Sequence, residues 1–454
     1  MNYYLKNLLK AAQENELGLK KMNKKQKKTI KNEDLTCEVY LWSKRVGVIT
    51  QRQGKLHFTY DRVFLNSGLE ISPLLLPLSR SEVIDFPSLR TDDYFQGLPG
   101  VFADSLPDKF GNKVLNNFIK DKYGSEQNEL SQVQRLLYVG ERAMGALEYR
   151  PAENNYNSLS KDALDVADLA SQSRKIIRGD VVKDSNMIMK IGSSAGGARA
   201  KALIGWDRKN SKFIAGTHKL PNHFEYWMIK FDGTEDGNPL GYGRIEYAYS
   251  LMLKDCGINA PQTHLLEERD RAHFMVKRFD RDDRGDKIHM ISLGGLIHSN
   301  YNEPHTSSYR EFLSAIHSLT DDMNQVKEGF RRMVFNVIAR NQDDHVKNFS
   351  FLMNREGKWT FSPSYDQTYA MGTGYTASHQ MTLNGKSDDF TREDLMQLAE
   401  SFDLDRSAGR IIDVVSSVVS NWDSYAKRAG VSNDHMNKLR GVHRCYLGNS
   451  SEQN

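Results

Sequence analysis

The front part of the chain alternates apolar and polar positions as β-strands do. Residues 38–42 are followed by a polar turn and then by residues 46–49, which predicts a hairpin at the start of a β-rich unit. After a loop-rich stretch, residues 108–138 show the apolar spacing of helices. Residues 146–149 then predict a further strand, so this unit is expected to mix strands with helix.

The pattern changes towards the C-terminus. Residues 223–231 and 272–276 predict well-formed strands, and residues 243–256 between them predict a helix with one apolar face. Helical spacing dominates the last third, most clearly at residues 326–338. A β-rich front half and a mainly helical back half are typical of a two-lobed α+β enzyme with a cleft between its lobes.

A polar segment between a long helix and a hairpin carries the strongest chemical signal. The helix is predicted to end just before residues 341–348, which are polar except for one valine. Residues 349–361 then predict two short strands joined by a turn. Because so short a hairpin brings its two ends together, Asp343, Asn348 and Asp366 are expected to converge.

Two carboxylates and an amide at a cleft fit phosphoryl transfer. In protein kinases, a catalytic aspartate takes the proton of the attacking hydroxyl, and an asparagine five positions later binds magnesium. Asp343 and Asn348 have this spacing, and Asp366 stands where a second metal ligand would be. Two other interpretations are a structural loop whose acids cap the next element, and a di-metal hydrolase, which usually has more histidine and aspartate ligands at short spacing.

Three further features precede this segment in the order that a kinase requires. Residues 191–201 are rich in glycine, serine and alanine, so their N–H groups could cradle phosphate, although they form no Walker A motif. Lys230 ends an apolar strand and could pair with phosphates, while Glu246 in the next helix could pair with Lys230. Each feature alone is more typical of an ordinary turn, strand end or helix, but their order favours a kinase.

Composition and cysteine content exclude several other classes. The chain has 454 residues, of which 39% are hydrophobic and 26% charged, so it is not disordered, collagen-like or coiled-coil as a whole. Its longest nearly apolar run, residues 71–78, is far short of the ~20 residues of a membrane span, and no signal peptide is visible. Its cysteines, Cys37, Cys256 and Cys445, are too scattered for a disulfide scaffold, which indicates a reducing, cytoplasmic location.

The net positive charge belongs to one short segment. Residues 20–31 carry seven lysines and no acid, so the formal charge of +4 becomes 4 − 7 = −3 without them. This lysine run is most simply a solvated linker, with contact to nucleic acid or an acidic partner as the alternative. The rest of the chain is therefore not expected to bind nucleic acid through its charge.

These residues resemble the HipA family of serine/threonine kinases, the toxins of bacterial toxin–antitoxin modules. The resemblance runs along roughly residues 36–445, and its last two segments are the most specific. The matching segments are residues 106–108, 139–146, 193–201, 229–230, 277–281, 343–350 and 363–366.

The resemblance implies four parts in an α+β, two-lobed, protein-kinase-like fold. The parts are an N-terminal extension with the lysine-rich linker (1–35), a β-rich subdomain (36–150), an N-terminal lobe with phosphate loop and hinge (151–280) and a helical C-terminal lobe with the catalytic loop (281–454). It also implies the cofactors ATP and Mg²⁺.

The resemblance further implies residue roles. Asp343 is expected to be the proton acceptor, Asn348 and Asp366 to bind Mg²⁺, and Ser194 to be autophosphorylated, with Ser193 adjacent to it. The residues expected at ATP are Gly196, Gly197, Ala198, Arg199, Ala200, Lys201, Lys230, Lys277, Arg278, Phe279, His345, Val346, Lys347, Asn348, Tyr365 and Asp366.

The resemblance also implies partners. They are a HipB-like helix-turn-helix antitoxin that docks on the β-rich part, a protein substrate such as an aminoacyl-tRNA synthetase or another translation protein, and DNA only through the antitoxin. The sequence departs from the family pattern at residues 287–293, where many members carry Gln-Glu-Asp, and at Ala200, where glutamate is common. A small-molecule kinase on the same fold and a catalytically silent, DNA-associated binding protein are the alternatives.

Overall fold

The computed structural model describes residues 34–123, 130–151, 164–180, 182, 199–233 and 240–448. Nearly all of the expected N-terminal extension, the lysine run included, lies outside these residues, and so does most of the glycine-rich segment. Every structural statement below concerns the described part of the chain.

The described residues form twelve strands and twelve helices. The strands are β1 (Leu35–Leu41), β2 (Lys44–Arg52), β3 (Lys55–Tyr60), β4 (Leu147–Arg150), β5 (Lys201–Asp207), β6 (Lys212–Ala215), β7 (Glu225–Lys230), β8 (Thr263–Glu268), β9 (Arg271–Lys277), β10 (His289–Ser292), β11 (Ser350–Met353) and β12 (Trp359–Phe361). The helices are α1 (Gly100–Ala103), α2 (Lys109–Tyr123), α3 (Gln132–Val139), α4 (Val166–Arg178), α5 (Tyr242–Asp255), α6 (Leu293–Ile297), α7 (Tyr309–Thr320), α8 (Met323–Ile338), α9 (Arg392–Glu400), α10 (Asp405–Ser420), α11 (Trp422–Ala429) and α12 (Asn433–Arg440).

The first four strands make an antiparallel sheet in the order β3-β2-β1-β4. Cys37, Val39 and Leu41 of β1 are fully buried, and the residues between them are more exposed, which is the period-two pattern of a half-buried strand. The hairpin and the later strand predicted for this region are both confirmed.

A second sheet has five antiparallel strands in the order β6-β5-β7-β9-β8. The strands predicted around β7 and β9 are confirmed, and so is the helix predicted between them, which is α5. Helices α2 and α4 bury their apolar residues in one hydrophobic core together with β5, β7 and β9. The helix α2, which comes from the front unit of the sequence, therefore packs on this second sheet.

The back half is mainly helical, as expected. The helix α8 begins at the N-cap Asp322, whose side chain accepts from the N–H of Asn324, and buries Phe330, Met333 and Val334. The predicted hairpin is also present as β11 and β12, and β10 joins it in a three-stranded antiparallel sheet. Strand β10 was not predicted from the sequence.

A large hydrophobic core joins the first sheet to the helices of the back half. The second sheet has its own core, so the molecule has two lobes. The predicted α+β fold is confirmed. No helix among the described residues is both long enough and apolar enough to cross a membrane.

Candidate active site

The end of strand β7 places a lysine between two carboxylates. Lys230 is the last residue of β7, and its Nζ lies 2.5 Å from Oε1 of Glu246 in α5. The same ammonium also contacts the carboxylate of Asp366, which follows the β11–β12 hairpin. Burial opposes the charge on Lys230, but Asp366 and then Glu246 raise its pKa above the usual value. Lys230 is therefore a charged lysine held inside the cleft.

Asp366 has an unusual backbone conformation. Its φ angle is +53°, in the left-handed region that aspartate tolerates better than most residues. Burial favours its neutral form, but Lys230 and Lys201 outweigh burial and lower the pKa of Asp366. An ionised carboxylate in a strained backbone position is typical of a functional site.

The segment after α8 presents the expected catalytic loop. It leads into a single 3₁₀ turn, Val346–Asn348, whose N-cap His345 accepts from the N–H of Lys347 at 3.2 Å. Nδ2 of Asn348 donates to the backbone oxygen of Asp343 at 2.7 Å. This bond fixes the orientation of the Asn348 amide, and its Oδ1 is the atom that could act as a ligand.

Asp343 lies next to His345, whose Nε2 is 3.8 Å from Oδ1 of Asp343, and 45% of the Asp343 side chain is exposed. Partial burial raises its pKa above the usual aspartate value; His345 opposes this rise, and the charge of Asp366 adds to it. Burial also lowers the pKa of His345, in spite of the two carboxylates, so the imidazole is neutral at pH 7. The environment of Asp343 therefore makes it a stronger base than an exposed aspartate.

In the expected hinge, residues 277–279, two of the three side chains form ion pairs with carboxylates of the protein. Lys277 forms a 2.7 Å ion pair with Glu225, and Arg278 makes two hydrogen bonds to Asp280, at 2.8 and 2.7 Å. Phe279 is different, because its ring lies 5.5 Å from the ring of Tyr365 across the cleft. These two rings form an aromatic pair that could contact the base of a nucleotide.

Arg199, Ala200 and Lys201 are the only residues of the expected phosphate loop within the described ranges; Ser194, Gly196, Gly197 and Ala198 lie outside them. Arg199 lies 3.6 Å from Glu246, and Lys201 forms a 3.2 Å ion pair with Asp108. Ala200 is fully buried, and its carbonyl oxygen accepts from the N–H of Phe231. Arg199 and Lys201 thus bring the end of this loop to the same cleft.

The remaining expected nucleotide residues divide into two kinds. Val346 is buried in the hydrophobic core, so its side chain is not available to a ligand. The ammonium of Lys347 lies 5.1 Å from the rings of both Tyr94 and Tyr301, while the hydroxyl of Tyr365 donates to the backbone oxygen of Lys347 at 2.7 Å. Lys347 and Tyr365 therefore belong to the wall of the cleft.

A cavity between the lobes unites most of these groups. The expected residues on its wall are Glu246, Lys277, Arg278, Phe279, His345, Lys347, Asn348, Tyr365 and Asp366. The front unit of the sequence also contributes to the wall, through Asp104, Ser105, Leu106, Asp108 and Met144. None of these five was predicted as a site residue, although Leu106, Asp108 and Met144 lie in segments that resemble the family.

A buried carboxylate next to Asp343 supports the catalytic loop. Asp344 is fully buried and accepts from the hydroxyl of Tyr309, from Nδ1 of His379 at 2.7 Å and from the N–H of Gln380 at 2.7 Å. Nε2 of His379 lies 3.2 Å from a guanidinium nitrogen of Arg444, which assigns the imidazole proton to Nδ1. Sequence spacing alone gave no signal for this network, whose members lie far apart in the chain.

The donor atoms at the cleft fit a magnesium ion that is shared with phosphates. The described residues contain no cluster of three or more His, Cys, Asp or Glu that could bind a metal by itself. Asn348 and Asp366 offer one amide and one carboxylate, and Mg²⁺ in nucleotide sites commonly takes only one or two carboxylates plus phosphate oxygens and water. This donor set fits Mg²⁺ bound together with a nucleotide.

Comparisons with known proteins give two curated relatives. A Haemophilus influenzae protein named "Putative kinase" is 28% identical over 135 residues, which are 27% of this chain and 39% of that protein. A Sinorhizobium fredii protein named "Putative kinase Y4dM" is 21% identical over 212 residues, 43% of this chain and 50% of its own length. The chain thus matches half or less of the length of these relatives.

A solved structure shares the fold over nearly the whole chain. It is described as the HipA, HipB and operator DNA complex of a Shewanella oneidensis MR-1 toxin–antitoxin system. Its matching chain is 14% identical with a TM-score of 0.66, and the match covers 90% of this chain and 96% of that one. At this identity the likeness establishes the fold alone.

Family models give the assignment. The HipA N-terminal domain matches residues 37–150, and the HipA-like C-terminal domain matches residues 193–422. The second match alone covers more than half of the chain. The expected family is therefore confirmed, and this chain belongs to the HipA family.

Proposed function

We propose that this chain is an ATP-dependent serine/threonine protein kinase of the HipA type. The observation that carries the proposal is a cleft lined by Glu246, Asp366 and Asn348. Lys230 contacts both of these carboxylates, and the backbone oxygen of Asp343 accepts from Asn348. Phosphoryl transfer needs these groups, because its catalysis is mainly positioning and charge stabilisation.

Separate residues of the chain would bind the phosphates, accept the proton and hold the metal. Lys230 would hold the α- and β-phosphates while Glu246 fixes its ammonium, and Asp343 would accept the proton of the attacking hydroxyl. Asn348 and Asp366 would hold Mg²⁺, which when bound neutralises charge on the β- and γ-phosphates. The γ-phosphoryl group would then pass from ATP to the hydroxyl oxygen, with ADP as the leaving group.

The nucleotide base would lie against the aromatic residues of the cleft. Phe279 and Tyr365 supply the aromatic surfaces, and residues 277–279 supply backbone groups of the hinge. Arg199 and Lys201 would face the phosphates together with the glycine-rich loop that precedes them. These residues would contact both the base and the phosphates of ATP without a Walker A motif.

We further propose that the acceptor is a hydroxyl on a cytoplasmic protein, such as an aminoacyl-tRNA synthetase or another translation protein, and also the chain's own Ser194. The solved complex that shares this fold contains HipA, HipB and operator DNA, which supports a HipB-like antitoxin as partner and a role as toxin. DNA contact would then come through the antitoxin, since the chain without residues 20–31 carries a net charge of −3 by the count above.

A direct test compares cells that express the chain with cells that express Asp343→Asn. Phosphoproteomics should find serine or threonine sites that depend on Asp343, and the purified chain should label itself with the γ-phosphate of ATP. Labelling of a small hydroxyl compound without any protein site would favour a small-molecule kinase. Identical phosphoproteomes with no ATP turnover would refute the proposal.

A further inference from the structure

A buried ion pair joins the front unit of the sequence to the second sheet. Nζ of Lys201, the first residue of β5, lies 3.2 Å from Oδ2 of Asp108, and only 2% and 3% of the two side chains are exposed. Opposite charges withdrawn from water in this way must compensate one another, because an unpaired buried charge is strongly destabilising. Asp108 also lies on the wall of the candidate active site.

The position of Lys201 brings two lysines together. Strands β5 and β7 are antiparallel, and Lys201 is directly opposite Lys230. Residues directly opposite in such a pair point to the same face of the sheet, where like charges repel each other. Glu246 and Asp366 compensate Lys230, and Asp108 compensates Lys201.

Each oxygen of the Asp108 carboxylate has its own hydrogen-bond partner. Its Oδ1 accepts from the N–H of Gly111 at 2.5 Å in the first turn of α2, while its Oδ2 faces Lys201. The helix α2 is in turn held on the second sheet by apolar residues, which include Phe110, Val114 and Phe118. The carboxylate therefore has a rigid support that does not depend on a ligand.

The position of Lys201 also brings its charge close to the expected metal ligand. Lys201 is directly opposite Lys230, and the ammonium of Lys230 contacts the carboxylate of Asp366. Without the carboxylate of Asp108, the charge of Lys201 would be left beside the carboxylates that Lys230 contacts, which are Glu246 and Asp366. The Lys201 ammonium would then compete with Mg²⁺ for Asp366.

We propose that Asp108 is a positioning residue of the kinase: it holds Lys201 in place beside the phosphates and leaves Asp366 available for Mg²⁺. This inference rests on the proposed function. It makes the HipA N-terminal domain part of the nucleotide site, in addition to any role in binding a partner. A purely structural ion pair would hold the two units together without any effect specific to magnesium.

The structure offers a matched control for that alternative. Lys287 lies next to β10 and donates to Glu148 of β4 at 3.0 Å, so this pair also links the front unit to the rest of the molecule. Neither Lys287 nor Glu148 lies on the wall of the cavity. Glu148→Gln should therefore weaken another junction between the front unit and the rest of the molecule without altering the response to Mg²⁺.

The test measures binding of a fluorescent ATP analogue to the full chain in Mg²⁺ and in EDTA. Asp108→Asn keeps a good N-cap and removes the charge. It should lose at least about twofold more affinity in Mg²⁺ than in EDTA, the lower end of couplings between contacting groups. Glu148→Gln should show the same ratio of the two affinities as the wild type.

A second variant covers the case in which Asp108→Asn does not fold. The double variant Asp108→Asn with Lys201→Gln leaves no unpaired charge and should be compared with Lys201→Gln alone. Since Lys201 no longer competes for Asp366, the added Asp108→Asn change should leave the Mg²⁺ effect unaltered. Equal losses in Mg²⁺ and EDTA for Asp108→Asn, or a further loss of the Mg²⁺ effect in the double variant, would overturn the inference. A wild-type chain that binds no ATP would instead contradict the proposed kinase function.

Discussion

Lys230 and Asp366, which are 136 positions apart in the sequence, form an ion pair across the cleft. One residue ends the central strand of the five-stranded sheet, and the other follows the hairpin of the back half. The pair therefore joins the two lobes at the point where phosphates are expected. Binding of Mg²⁺ and ATP would exchange this contact for one between Lys230 and the phosphates and another between Asp366 and the metal.

The first prediction concerns the proposed base. Asp343→Asn should lower the rate of phosphoryl transfer at least ~100-fold, the low end of what a general base contributes. ATP binding should persist, because Asn348 and Asp366 are unchanged. The measurement is labelling by ATP at saturating nucleotide, together with nucleotide affinity. Asp403→Asn, at an exposed aspartate distant in sequence from this loop, is the control and should keep full activity.

The second prediction is a pH dependence. Burial and the charge of Asp366 raise the pKa of Asp343, and only its ionised form can act as a base. The rate should therefore fall as the pH decreases through that raised pKa, at a higher pH than the ordinary aspartate value of about 3.9. The measurement is kcat/KM against pH, and an acidic limb at the ordinary value or below would contradict the assignment.

The same pKa shift has a consequence for stability. Between the ordinary and the raised pKa, folded Asp343 keeps a proton that the unfolded chain has lost, so the contribution of Asp343 to the free energy of unfolding decreases as the pH rises through this window. Asp343→Asn should remove this part of the pH dependence. Denaturant unfolding at several pH values measures it, with Asp403→Asn again as the control.

The third prediction concerns magnesium. Asp366→Asn keeps a residue that tolerates a φ of +53° but loses the carboxylate. Its affinity for ATP should fall far more in Mg²⁺ than in EDTA, because Asp366 acts through the metal. Asp403 has a φ of +54°, so Asp403→Asn tests the same exchange outside the cleft and should not change either affinity. Equal losses in both buffers for Asp366→Asn would show that Asp366 is not a ligand.

The fourth prediction concerns the buried support of the catalytic loop. Asp344→Ala would leave Nδ1 of His379 and the hydroxyl of Tyr309 without their acceptor. The free energy of unfolding should fall by about 3 kcal/mol, as expected when one partner of a buried charged network is removed. Urea unfolding measures this change. Asp283→Ala, which removes an exposed aspartate, should cost much less.

The fifth prediction concerns self-modification. Phosphorylation of Ser194 would add about −1.5 to −2 charges to the loop that we propose to bind the phosphates of ATP, so like-charge repulsion should weaken nucleotide binding. Mass spectrometry after incubation with ATP identifies the site, and Ser193→Ala and Ser194→Ala distinguish the two neighbouring serines. Stoichiometric phosphorylation of Ser194 with undiminished ATP affinity would exclude this form of regulation while leaving the kinase proposal intact.

The sequence by itself determined much of the local structure and the order of the candidate site. Alternation predicted the strands around Lys230, helical spacing predicted α5 with Glu246, and the short hairpin predicted that Asp366 returns towards Asn348. These features depend on residues that are close in the sequence, or on turns whose geometry is narrow, so local patterns carry the information.

Only the tertiary structure decided which long-range partners each side chain has. It directs Lys277 to Glu225, buries Val346, pairs Lys201 with Asp108 and surrounds Asp344 with donors. These contacts join elements that are separated in the sequence, and period and spacing describe only one element at a time. The sequence therefore predicted which residues could carry out the chemistry, and the packing of the two lobes decided which of them point into the cleft.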